Sequence, residues 1–227
     1  MSFVKTESIS KVYMQSKTVQ PQALNNINLD IEQGEFVVIS GPSGSGKTTL
    51  LNIIGGLDAP TNGKVFLHEH ELTDLKEKEL ALVRRDHIGF IFQAYNLIPV
   101  LTAMENIEYI MMLQGVAEKA RREKATKIAE QLEIAHLLDK KPNEMSGGQQ
   151  QRVAIARSLV SSPDLILADE PTANLDSKTG EKLIDLMRKI NEEQKMTFVF
   201  STHDKMIMDK AKRRIILRDG QIINDEK

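Results

Sequence analysis

Residues 36–54 read Phe36-Val37-Val38-Ile39-Ser40-Gly41-Pro42-Ser43-Gly44-Ser45-Gly46-Lys47-Thr48-Thr49-Leu50-Leu51-Asn52-Ile53-Ile54. The opening run is continuously apolar, the pattern of a strand buried on both faces. It passes through glycines into a helical pattern, and 41–48 fits G-x-x-x-x-G-K-[ST] between a strand and a helix, the setting this motif requires. Glycines let main-chain N–H groups turn inward around phosphates, and the following helix start adds partial positive charge. Lys47 is placed to reach terminal phosphates and Thr48 to ligate Mg²⁺. The loop Gly41, Pro42, Ser43, Gly44, Ser45, Gly46, Lys47, Thr48 and Thr49 is therefore a nucleotide-site expectation, weighed against a chance glycine-rich turn.

Outward from this unit the pattern repeats. Buried-strand signals lie at 88–92, 165–168, 197–201 and 213–217, with a half-buried strand at 27–32. Helical patterns at 77–85, 177–193 and 204–210 separate most of them, which predicts an α/β core with a largely parallel sheet. From 102 to 161 the pattern is helical throughout, with a charged helix over 121–132 and a break at Pro142. The division expected is an ATPase-type core over about 1–93 and 162–227, and a helical subdomain over about 94–161. Short β-like runs up to residue 67 predict an antiparallel β edge.

The bulk numbers exclude more than they assign. The chain has 227 residues, 41% hydrophobic and 27% charged, enough for a sizeable core. Net charge is -2, which gives no electrostatic reason to expect nucleic acid as a direct partner. There is no cysteine, so disulfides, thiolate zinc sites and thiol nucleophiles drop out. The N-terminal residues lack a signal-peptide pattern, and no stretch approaches about 18 consecutive apolar residues. A cytoplasmic protein, meeting any membrane through a partner, is expected.

Two further constellations bear chemistry. Leu165-Ile166-Leu167-Ala168-Asp169-Glu170 is an apolar strand ending in two carboxylates. Beside a phosphate loop, Asp169 suits Mg²⁺, and strand alternation turns Glu170 elsewhere, free to orient or deprotonate an attacking water. Ser146-Gly147-Gly148-Gln149 opens a second helix, with Val153, Ala156 and Val160 on one face. Ser146 is a good N-cap, and the glycines clear space for close approach. Alone this is a capped helix; beside the other two motifs it is a second anion site, aimed at a γ-phosphate.

Together these motifs resemble the nucleotide-binding subunit of ATP-binding-cassette (ABC) transporters, over essentially the whole chain. Met145-Ser146-Gly147-Gly148-Gln149-Gln150-Gln151-Arg152-Val153 is similar to the family signature, with methionine where leucine is usual. The resemblance implies that Gln93 senses Mg²⁺ and faces the membrane partner, and that Ala173-Asn174-Leu175-Asp176 crosses between subunits. It implies that His203 contacts the γ-phosphate and that Tyr13 lies against adenine. It further implies a head-to-tail homodimer sandwiching two ATP molecules with Mg²⁺. Residues 41–48 of one copy would face 146–149 of the other, so that a monomer hydrolyses poorly.

Residues 51–58, 84–92, 90–99 and 101–106 resemble the group with lipoprotein-releasing and macrolide-export ATPases, which drive a separate integral membrane permease. In the apolar run of Leu97, Ile98, Pro99, Val100, Met104, Ile110, Met111 and Met112, most residues are expected inside the helical subdomain and some in a permease groove. The alternative is a soluble ABC ATPase working without a permease, although neither a second cassette nor coiled-coil arms are present. A phosphate-loop kinase or GTPase leaves the second glycine turn unexplained, and Glu170 and His203 argue against a non-hydrolysing cassette. His68, His70, His87 and His136 are expected at the surface, as are the basic pairs Arg84-Arg85, Arg121-Arg122 and Lys140-Lys141.

Overall fold

A computed structural model describes residues 2–13 and 22–227. In chain order the strands are β1 (Ser2–Val12), β2 (Gln22–Glu32), β3 (Phe36–Ser40), β4 (Asn62–Leu67), β5 (His70–Glu71), β6 (Ile88–Ile91), β7 (Leu165–Asp169), β8 (Thr197–Ser201), β9 (Arg213–Arg218) and β10 (Gln221–Glu226). The α-helices are α1 (Lys47–Ile54), α2 (Glu77–His87), α3 (Ala103–Leu113), α4 (Glu118–Gln131), α5 (Gly147–Leu159), α6 (Ser177–Gln194) and α7 (Lys205–Lys210).

Two sheets form. The larger has the order β10-β9-β3-β8-β7-β6, parallel throughout except for the antiparallel β9–β10 hairpin. The smaller has the order β2-β1-β4-β5 and is antiparallel. The β structure expected of the opening segment is thus a sheet of its own. Its long strand β1 had no clean period-2 signal because register shifts interrupt its pairing with both neighbours, and Ser8 has φ 50°. Strand β10 gave no signal either, because its two apolar residues, Ile222 and Ile223, are adjacent and do not alternate.

Alternation along the central strands separates two cores. Phe36, Val38, Ile166, Ala168, Phe198 and Phe200 face one side, against buried residues of α3–α6. Val37, Ile39, Leu165, Leu167 and Val199 face the other, where α1 and the antiparallel sheet pack. Between β6 and β7 the described chain is helical and irregular, with α3, α4 and α5 in mutual contact. Buried Asn106 fixes the turn before α3. Its amide group bonds the main chain of Ile98 in both directions, and also reaches the carbonyls of Leu101 and Thr102.

Arg213 joins the two sheets. Its buried guanidinium is bidentate to Asp225 (2.8 and 2.7 Å), and reaches Glu35 Oε2 (2.7 Å) and the carbonyl of Asp30 on β2 (2.7 Å). Its bond to Asp225 outweighs the burial that would raise that carboxyl, holding it below the usual carboxylate range. Arg213→Ala is expected to lower unfolding free energy by about 2–4 kcal/mol in urea titrations. Because the folded Asp225 pKa is depressed, its stabilisation is present above the unfolded value and lost as pH falls through the folded one. The variant should therefore show a shallower loss of stability below about pH 4 than the parent.

Candidate active site

The phosphate loop is confined by main chain from both sheets. A Cβ on Gly41 would come 2.0 Å from the carbonyl oxygen of Leu217 on β9, and one on Gly46 would come 2.4 Å from that of Ala23 on β2. Gly46 also has φ 102°, so glycine is required there on two counts. Gly220 completes the clamp: its N–H donates to Ser45 O (3.1 Å) and its carbonyl accepts from Asn25 N (2.8 Å). Ser45 itself is buried.

A cavity of about 600 Å³ opens on this loop. It is lined by Gly41, Pro42, Ser43, Gly44, Gly46, Lys47, Thr48 and Thr49 from the loop and α1, with Gln93, Asp169, Glu170 and His203 from other elements. The sequence-expected residues of the phosphate loop, acidic pair and His203 therefore converge. Lys47 Nζ folds back onto the carbonyls of Gly41 (2.8 Å) and Pro42 (3.0 Å). Thr48 Oγ1 donates to the Asp169 carboxylate, at 2.9 and 3.2 Å from its two oxygens. A hydroxyl and a carboxylate at this separation are hard oxygen donors of the kind Mg²⁺ prefers, with room left for phosphate and water. The donor set thus fits the metal that the phosphate loop implies.

Glu170 is bent away from the strand that carries Asp169. Its backbone is left-handed, φ 46°, and its N–H donates to Ser201 O (2.8 Å). The carboxylate lies between His203 Nδ1 (2.6 Å from Oε1) and the hydroxyl of Thr202 (2.8 Å from Oε2). Thr202, fully buried, was not singled out from the sequence; only the strand-to-helix turn ahead of α7 brings it to Glu170.

The glycine turn faces elsewhere. Ser146 caps α5 in a capping box, its N–H donating to Gln149 Oε1 (2.9 Å). Ser146, Gly148 and Gln149 line a second cavity of about 350 Å³ with Asn174, Leu175 and Asp176. His136, expected only as a surface residue, is exposed but lines this cavity too. The two cavities share no lining residue.

The segment after Gln93 bridges them. Asn174 Nδ2 donates to the carbonyl of Gln93 (3.0 Å), and the Tyr95 hydroxyl occupies the space a Cβ on Gly147 would need, 2.7 Å away. Tyr95 and Asn96 are both left-handed, φ 59° and 51°. Their carbonyls accept from Arg157 of α5 at 2.9 and 2.6 Å. Burial pushes the Arg157 pKa down.

Tyr13 is not brought to the phosphate-loop cavity. Its hydroxyl donates to Asp58 (2.9 Å) and Lys11 Nζ lies 4.8 Å from its ring centroid. Of the apolar run, Met111 is buried and Leu97 and Met104 pack against the core. Ile98 and Ile110 line an apolar groove of about 650 Å³ with Phe90, Phe92, Tyr109 and Leu113, and Val100 is 71% exposed. Among the described residues no helix is long and apolar enough to cross a membrane.

Residues 24–173 match the family model described as ABC transporter. An uncharacterized ABC transporter ATP-binding protein of Methanocaldococcus jannaschii is 48% identical over 228 residues, covering 99% of this chain and 97% of the relative. A solved dimeric structure of that cassette, in a post-hydrolysis state bound to ADP and Pi, superposes with a TM-score of 0.95 at 47% identity, covering 99% of this chain and 98% of the other. A macrolide export ATP-binding/permease protein (MacB) of Campylobacter jejuni is 52% identical over 204 residues, 90% of this chain and 32% of the relative. A lipoprotein-releasing system ATP-binding protein (LolD 1) of Chlorobium chlorochromatii is 44% identical over 225 residues, 99% of this chain and 87% of the relative.

The Arg157 bonds carry a consequence for stability. Arg157→Met keeps most of the aliphatic stem but leaves two left-handed carbonyls without their charged donor, and is expected to cost about 2 kcal/mol. Amide hydrogen exchange should quicken over residues 93–98 ahead of the central strands.

Proposed function

The chain belongs to the ABC transporter family as an ATP-binding cassette ATPase, and on that premise we propose that two copies pair head to tail around two ATP molecules to drive a separate membrane permease. The observation that carries this is the separation of the two cavities. Phosphate-loop and acidic residues line one, the Ser146 turn lines the other, and no residue is common to both. A second copy supplies the missing half of each site. The dimeric state of the M. jannaschii cassette supports the same arrangement.

In this reading Lys47 exchanges the carbonyls of Gly41 and Pro42 for the β/γ-phosphates, with the main-chain N–H groups of 41–49 around them. Thr48, Asp169 and Gln93 hold Mg²⁺, which when bound neutralises charge on the phosphate oxygens. Glu170 takes the proton of the attacking water, and His203 steadies the carboxylate and meets the γ-phosphate. Ser146, Gly147, Gly148 and Gln149 of the partner copy close the site at a helix N-terminus. Tyr13 is the ring that stacks on adenine. Residues about 1–93 and 162–227 act as the ATPase core, and about 94–161 as the helical lobe.

The apolar groove beside Gln93 is the docking face for a permease helix. The MacB relative, an ATP-binding/permease protein of much greater length, supports this. The likeness to MacB and LolD supports a cargo of the lipoprotein-release or macrolide- and peptide-export type. The cassette would then work as a peripheral subunit on the cytoplasmic face of the membrane.

Replacing Glu170 by Gln keeps the shape and removes the base. Steady-state ATP hydrolysis should fall at least about 100-fold, while light scattering detects an ATP-dependent dimer. Turnover at the parent rate, or a monomer at saturating ATP, would overturn this mechanism. A multi-span membrane protein should co-purify from detergent-solubilised membranes; its absence would favour an ATPase working without a permease.

A further inference from the structure

The Thr202 side chain has no solvent exposure, yet its hydroxyl touches two polar groups. It lies 2.8 Å from Glu170 Oε2 and 3.0 Å from the main-chain N of Asp204. A hydroxyl offers one proton and two lone pairs. The Asp204 N–H must donate, so it fills a lone pair, and the single hydroxyl proton is committed to the carboxylate. Asp204 is itself held: its Oδ2 accepts from Thr172 Oγ1 (2.8 Å) and its Oδ1 from the Met206 N–H (2.9 Å). Thr202 is therefore aimed before any nucleotide arrives. The opposite oxygen of Glu170, Oε1, lies on the side of His203, whose side chain is 80% exposed.

We infer that Thr202 is a positioning residue for hydrolysis: it locks the rotation of the Glu170 carboxylate so that Oε1 alone receives the proton of the attacking water. The terminal torsion of a glutamate is broad and roughly two-fold, so a carboxylate held only by the exposed His203 ring keeps more of that freedom. One directed, buried hydrogen bond removes that freedom at the reacting oxygen. In the step served, a water O–H bond breaks, its proton passes to Oε1, and the water oxygen attacks the γ-phosphorus as ADP departs with the bonding electrons. Thr202 is buried and does not line the phosphate-loop cavity; it acts through Glu170. This role rests on the reading of Glu170 as the base. The competing role is purely local, a hydroxyl that only caps the turn before α7.

Thr202→Val preserves side-chain volume and removes the hydroxyl. The positioning role predicts kcat lower by about 10- to 100-fold with KM for ATP unchanged. It also predicts an ATP-bound dimer that accumulates because hydrolysis is slow. Thr202→Ser should return kcat to within about twofold of the parent. If the valine variant does not fold, the Thr202→Ser and Thr202→Ala pair makes the same comparison, since they differ by the hydroxyl alone. A capping role would lower thermal stability and leave kcat of the folded enzyme intact, which overturns the inference, as does a serine variant as slow as valine. Glu170→Gln assayed in parallel separates the two levels. Full activity there removes the base and this role together. An inactive Glu170→Gln beside an active Thr202→Val removes only the role of Thr202.

Discussion

The site depends on the main-chain ladder that holds β8 between β3 and β7. All three strands run parallel, and Ser201 is opposite both Ile39 on β3 and Asp169 on β7. This shared register brings three strand ends to one edge of the sheet. The phosphate loop leaves β3 there, the acidic pair ends β7, and Thr202 and His203 follow β8. Ligands of open α/β sheets bind outside these carboxyl ends because only there do loops from separate strands converge. A slip of one residue would turn Phe198 and Phe200 from one core to the other and carry Glu170 away from its partners.

Around that edge the chemistry is distributed by backbone geometry as much as by side-chain type. Asp169 continues the strand and meets Thr48; Glu170, one residue later, is left-handed and meets His203 and Thr202. Two adjacent carboxylates thereby acquire different neighbours, one suited to a cation and one to a proton. Helix α5 works at longer range. Its first turn presents the Ser146 glycines and its third holds the Tyr95 and Asn96 carbonyls through Arg157. One rigid element thus touches both the glycine turn and the segment that follows Gln93.

Much of this was legible in the sequence wherever the cause is local. The strand at 36–40 and the phosphate loop declare themselves because an unbroken apolar run, two glycines and a helix start lie within a few residues. Ser146 declares itself as an N-cap because capping needs only its own turn. Other features arise from contacts distant along the chain. Strand β10 is held by pairing with β9 and by the Arg213–Asp225 bonds, neither of which leaves a periodic trace. Thr202 gains meaning only when β7 and β8 are side by side. Tyr13 carries an expectation of adenine contact, and its bond to Asp58, ahead of β4, is invisible without the fold.

The walls of the phosphate loop come from segments far apart in sequence, Ala23 on β2 and Leu217 with Gly220 at the β9–β10 hairpin. A ribosome delivers the loop before the second wall, roughly ten seconds or more ahead of it at ordinary elongation rates. Until β9 is in place, Gly41 and Ser45 lack the main chain that shapes them. A nascent chain that stops short of β9 lacks one wall of the phosphate loop.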